Sequence, residues 1–369
     1  MLIKKQGEWN NKAKVNLPDS ISVTTDLSTS KAGYPYCAIT VQVCTDNFDM
    51  YEELLSFDHF AAPHTGDRNL QHVTVKLRAL KPEWIDKNFE QICYSATTDC
   101  GSNNNALATA DSTLKVPCAG HRGNTVTSNL DAFEPWKRVC DTMDYFHKLL
   151  RKSTGNRQEL ERVMAIRIAS LGAAGVRTKK DVLKQLSNLP RTRWAHTAKH
   201  FERYIELLQD IYAMDKNKMA FTGNKYAAML LWEDMKRQAQ IDKDIINIIY
   251  PLIEKMQFWM VRTQGSQEPT ISLLAYFIED MLATVQYQLS LIEELDPEVL
   301  ADPTSSLNCA KEILYYFSTE FESKFTFFST SHMIKCAKLL DPRVANLPGK
   351  PDFVPFTWLK EFYKKVMYI

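Results

Sequence analysis

The apolar residues of this chain change period once, near residue 130, and that change restricts it to a fold with a sheet at one end and helices over most of its length. Upstream the pattern has period two, the mark of strands with one buried face. In "SISVTTD" (20–26), Ile21, Val23 and Thr25 alternate with Ser20, Ser22 and Thr24, and the run stops at Asp26. "YCAITVQVC" puts Cys37, Ile39, Val41 and Val43 on one face; a Thr45-Asp46-Asn47 turn and "MYEELLSF" complete a three-strand meander. "HTGDRNLQHVTVKLRAL" then predicts a helix, with Thr65 as its cap, Asp67 suited to its N-terminal dipole, and Leu70, Val73, Leu77 and Leu80 on one side. A second β run, Ile92 to Thr98, again ends in Thr-Thr-Asp at Asp99, after which Gly101 and Ser102 lead into a further helix.

Downstream of Leu130, and as far as Lys338, the periodicity is almost entirely helical. "IINIIYPLIEKMQFWM", "ISLLAYFIEDMLATVQYQLSLIEEL" and "AKEILYYFSTEFESKF" read as long buried or amphipathic helices, separated by loops at "RTQGSQEPT" and "LDPEVLADPTS". No repeat recurs at a fixed period, which disfavours a solenoid. The last stretch, "CAKLLDPRVANLPGKPDFVPF", is broken by four prolines and a glycine and reads as an irregular return segment. The expected divisions are therefore 1–128, 129–335 and 336–369.

Composition narrows the function classes. A formal net charge of +1 in 369 residues carries no global signature of a nucleic-acid-binding protein, so any such role must rest on local charge. The eight cysteines have no regular spacing, which fits reduced thiols better than a disulfide scaffold. "MLIKKQGEWNNKAK" lacks an apolar leader core, and no run reaches the length of a membrane span. A cytosolic or nuclear location, without a membrane partner, is the expectation.

The two Thr-Thr-Asp endings carry the chemistry. If their strands lie side by side, Asp26 and Asp99 converge at a sheet edge, where two carboxylates can hold a divalent ion suited to phosphoryl transfer. A βββαβα order with acids on the first and fourth strands is the layout of a ribonuclease H-like fold. Six motifs then fall in one order along the chain: "TTDLSTS", "HTGDRNL", "TTDCGSNN", "CAGH", "RTRW" and "KLLDPRV". In these the chain resembles the core of a hAT-superfamily transposase. The resemblance implies an α+β fold, a ribonuclease H-like mixed sheet (βββαβαβ) interrupted by a large all-α insertion. It also implies that Asp26 and Asp99 match two of three catalytic acids binding Mg²⁺ or Mn²⁺. Cys118 and His121 would lie beside that site. Arg193 and Trp194, with Arg191 in the same motif, would contact DNA, the tryptophan stacking on an extrahelical base.

The third acid of that family lies in a Ser-Ala-Ala-Ser-Glu-Arg type segment of a C-terminal region that also carries the dimerisation helices, and no such segment occurs here. Glu361 is the tempting substitute, but its neighbours do not match. A Cys/His-rich BED finger is also missing. The expectation is a truncated, decayed or domesticated transposase: a nuclear DNA-binding protein that does not cut or join strands. Two alternatives stand beside it, a nuclease completing its triad from another segment or chain, and a helical interaction scaffold. Zinc at Cys118 and His121 is disfavoured, because no second ligand pair lies at a matching spacing. Between Asp131 and Ile205, Lys and Arg outnumber Asp and Glu about two to one, as suits a phosphate backbone tracked towards metals or a solvated helix surface. Trp194, followed at helical spacing by Phe201 and Ile205, is equally suited to a core position.

Overall fold

A computed structural model describes residues 19, 21–30, 32–44, 50–61, 63–99, 114–171, 194–263, 271–294, 302, 305–331, 334, 335 and 337. The segments after Asp99, around "RTKK" and "RTR", and from residue 338 to the C-terminus lie outside these, with Arg191, Arg193 and Glu361 among them.

Five strands form one mixed sheet in the order β3-β2-β1-β4-β5: β1 Ile21–Thr29, β2 Pro35–Cys44, β3 Met50–His59, β4 Cys93–Thr98 and β5 Leu114–Pro117. The first three pair antiparallel as a meander, while β1, β4 and β5 run parallel. One expectation needs correction. The first strand does not stop at Asp26 but continues to Thr29, because β2 goes on pairing with it through Asp26↔Ala38, Leu27↔Cys37, Ser28↔Tyr36 and Thr29↔Pro35. Ladder bonds come from the backbone, so a carboxylate on the open face does not end them. The chain turns only at Ser30 to Gly33, where the Gly33 amide donates to the Ser30 carbonyl at 2.9 Å and Gly33 takes φ 86°, a value that favours glycine. On the other side of β1, β4 stops at Thr98.

Alternation decides the two faces of the sheet. Ile21, Val23, Cys37, Ile39, Val41 and Ala96 are buried together with Val73 and Leu77 of helix α1 (Gly66–Arg78), Trp84, and Phe89 of the short helix α2 (Phe89–Ile92). Thr65 caps α1, accepting from the Arg68 amide at 3.4 Å. The same face carries Asp58, which pairs with Lys76 of α1 at 2.6 Å.

A second core belongs to helices α3 Ala119–Leu130, α4 Glu134–Lys152, α5 Thr154–Leu171, α6 Trp194–Ala213, α7 Lys225–Thr263, α8 Ile271–Glu293 and α9 Ser306–Thr330. It also takes in Val116 of β5 and Val126 and Leu130 of α3. Phe277, Phe317, Phe321, Phe325 and Phe328, all buried, build a ring cluster between α8 and α9, with centroids 4.4 to 5.6 Å apart along it. The architecture is thus mixed α and β, a five-stranded sheet joined to an all-helical body. No helix among the described residues is long and apolar enough to cross a membrane.

Candidate metal and nucleic-acid site

The site is set by strand register. β1 and β4 are parallel neighbours with Ser22↔Ser95, Thr24↔Thr97 and Thr25↔Thr98, and β4 pairs with β5 through Thr98↔Pro117. One residue further along each strand gives a row of Asp26, Asp99 and Cys118. Neighbouring strands lie about 4.8 Å apart, so the two acids occupy adjacent positions. Both have the parity of Ser22 and Ser95, whose hydroxyl oxygens meet at 2.7 Å, which puts them on the face opposite the α1 core. Asp26 is exposed and Asp99 half-buried.

Cys118 closes the row. Its amide donates to the Thr98 carbonyl at 2.9 Å, and its own carbonyl accepts from the Arg122 amide at 3.0 Å, so the residue joins the end of the sheet to the first turn of α3. His121 lies in that turn, exposed. The nearby thiol of Cys37 sits on the buried face; burial pushes it up to about 11, and the charges of Asp58 and Asp26 add to the effect. It is not a nucleophile at neutral pH.

Two carboxylates on adjacent strands supply hard oxygen donors, and an exposed edge leaves the other coordination positions to water, which fits Mg²⁺ or Mn²⁺. Among the described residues no group of three or more His, Cys, Asp or Glu side chains is arranged to hold a metal ion. Any ion here would rest on the pair alone or on a donor outside those residues.

Of the motif residues expected to touch DNA, Arg191 and Arg193 lie outside the described residues. Trp194 begins α6, with its side chain also outside them. One turn or two on, Phe201 is fully buried and stacks on Trp136 at 5.2 Å. The basic stretch divides in two. Arg138 pairs with buried Asp242, Arg162 with Glu159, Arg167 bidentately with Asp210 at 2.7 and 2.8 Å, and Arg203 with Glu206. These guanidinium groups serve the helical body. Arg151, Lys152 and Arg157 instead stand exposed where α4 meets α5, beside Lys148, which is also exposed but lies 3.9 Å from the Asp144 carboxylate. The Arg157 guanidinium donates to the Arg151 carbonyl at 3.0 Å, holding that corner together.

Sequence reasoning missed the rest of the open sheet face. Tyr36 stacks on Phe57 (5.1 Å, 6° between planes), His59 meets Tyr36 edge-on at 6.1 Å, and Tyr34 meets His59 at 6.2 Å. The available signal was parity: Tyr36 alternates with Cys37, so it belongs to the face of Ala38, Thr40 and Gln42. A cleft of about 620 Å³ between α7 and α8, lined by Lys255, Phe258, Asp280 and Tyr287 among others, was also unforeseen. Of its two carboxylates, Glu254 and Asp280, the latter already accepts from Lys255 at 2.8 Å and from the Trp259 indole at 2.7 Å. No protein-family model matches the chain, and a search of curated proteins gave no match either.

Proposed function

We propose that this chain is a DNA-binding protein of ribonuclease H-like, hAT-transposase-like build, in which Asp26 and Asp99 hold a divalent cation against a backbone phosphate. The observation that carries this reading is the opposition of the two acids across the parallel β1–β4 pair. The strand order 3-2-1-4-5, with an antiparallel meander on one side and parallel strands on the other, supports it, because that order is the ribonuclease H-like one. A large helical body following the sheet agrees with the insertion of the resembled family.

Mg²⁺ or Mn²⁺, when bound, would neutralise charge on a phosphate oxygen. The residues' own part is positional. Asp26 and Asp99 fix the cation on the open face, and the exposed cations at the α4–α5 corner attract the duplex backbone. Two-metal strand transfer needs a further acid to complete charge stabilisation, and loss of one member of such a unit removes nearly all of the rate. The proposed activity is therefore binding without cleavage, exercised in the nucleus on transposon-end-like or distorted duplex.

The test combines metal titration, fluorescence anisotropy with hairpin-ended and plain duplex, and a nicking assay on the same purified chain. Weak Mn²⁺ binding abolished by Asp26→Asn and Asp99→Asn, preference for hairpin ends and intact DNA after incubation are the expected results. Metal-dependent nicking that Asp26→Asn abolishes would favour an active nuclease, with Glu361 the next residue to change. Absence of binding to any DNA would leave the helical scaffold.

A further inference from the structure

We propose that the open face of β2 and β3 is a stacking platform for one or two unpaired nucleobases of a single strand. The inference rests on reading this sheet face as a nucleic-acid site and deepens it, since it names the part of the nucleic acid that the face recognises.

Three observations point there. Phe57 is 57% exposed and Tyr34 is 58% exposed, so these rings are displayed rather than stored in the core. Tyr36 and Phe57 stack on each other nearly parallel at 5.1 Å, so a base laid against the exposed Phe57 ring would extend a stack that is already formed. The register also ties the rings to the acids: Asp26 pairs with Ala38 and Ala38 with Phe57, giving one row across three strands. Phe57 therefore stands two strand spacings, about 9 to 10 Å, from Asp26 on the same face. Between them Ala38 offers only a methyl group, which keeps the row low. Ser28, Tyr36 and His59 form the next row.

Aromatic rings beside a backbone-binding groove are how sequence-tolerant single-strand sites are built, because every base has a π-face. A cage for a cationic side chain would need rings converging around one centre; His59 and Tyr34 do stand edge-on to their neighbours, but the Tyr36–Phe57 pair is 6° from parallel and closes no such centre. Unpaired bases also occur where a duplex end is distorted or flipped, so the platform and the acid pair would engage one substrate.

The test uses a fluorescein-labelled oligo-dT of about 20 nucleotides and a strand of equal length whose central bases are replaced by abasic residues. Both carry the same phosphates. Anisotropy in Mg²⁺ should show the oligo-dT bound more tightly, by about 5- to 150-fold per stacked base. Phe57→Ala and Tyr36→Ala should erase that preference while leaving plain-duplex affinity and the melting temperature unchanged; Phe57→Trp should keep it. Equal affinity of the wild type for the two strands would overturn the platform and leave the DNA-binding reading intact. Failure to bind any oligonucleotide would overturn both. Oligo-lysine binding that Phe57→Ala abolishes, without an abasic effect, would replace the platform by a cation site.

Discussion

His147 should make the helical body acid-sensitive by a calculable amount. It sits on α4, 9% exposed, against His200 at 4.9 Å and Tyr204 at 6.5 Å on α6, and its Nε2 has no hydrogen-bond partner among the described residues. Burial, then the neighbouring His200, holds its pKa down from 6.5 to about 4, opposed by Asp144 on its own helix. A depressed histidine pKa means that the fold accommodates the neutral ring. Its contribution to stability is fully present above 6.5 and is lost as pH falls from 6.5 towards 4. Linkage with these two values gives a loss of about 2 kcal/mol between roughly pH 7 and pH 5.

His147→Leu removes the titration and the unsatisfied nitrogen while keeping an apolar side chain in place. Urea denaturation at both pH values isolates the effect, because other acid-sensitive groups titrate in both proteins. The wild type should lose about 2 kcal/mol more than the variant on going to the lower pH. A stability gap between the two proteins that is the same at both pH values, within about 0.5 kcal/mol, would refute the reasoning.

Asn156, fully buried, donates to the Leu149 carbonyl (3.3 Å) and the Ala220 carbonyl (3.0 Å) and accepts from the Ala220 amide (2.7 Å). Asn156→Ala leaves three backbone groups unmatched and should lower unfolding stability by about 2 to 4 kcal/mol in urea titration. Glu159 is held down to about 2, from 4.5, by hydrogen bonds from Arg162 at 2.7 and 2.8 Å and one from the Asp215 amide at 3.1 Å. A lowered carboxylate contributes stability above 4.5 that disappears as pH falls towards 2, so Glu159→Gln should flatten the melting-temperature profile over that interval and not above it.

The sequence by itself determined the local periods. Alternation identified the buried face of β2 down to Cys37, Ile39, Val41 and Val43, each now found buried, and the Thr65 cap and the Val73–Leu77 stripe of α1 were legible for the same reason. Residues two apart on a strand, or three and four apart on a helix, share a face whatever the remainder of the chain does. Both acids could likewise be singled out, since each follows a Thr-Thr pair at the end of an apolar run.

What the tertiary structure decided was adjacency. That β4 lies beside β1, in the register that sets Asp99 next to Asp26, depends on which faces are buried together, and the two residues are far apart in the chain. The same holds for β1 running past Asp26, since its continuation belongs to the backbone of β2. It holds too for the arginines: composition counted them, but only the packing of α4 to α7 consigned Arg138 and Arg167 to the buried carboxylates Asp242 and Asp210 and left the α4–α5 corner exposed. Periodicity records which side of an element is buried, whereas pairing is a balance of burial and backbone hydrogen bonding between distant segments, and no local pattern encodes it.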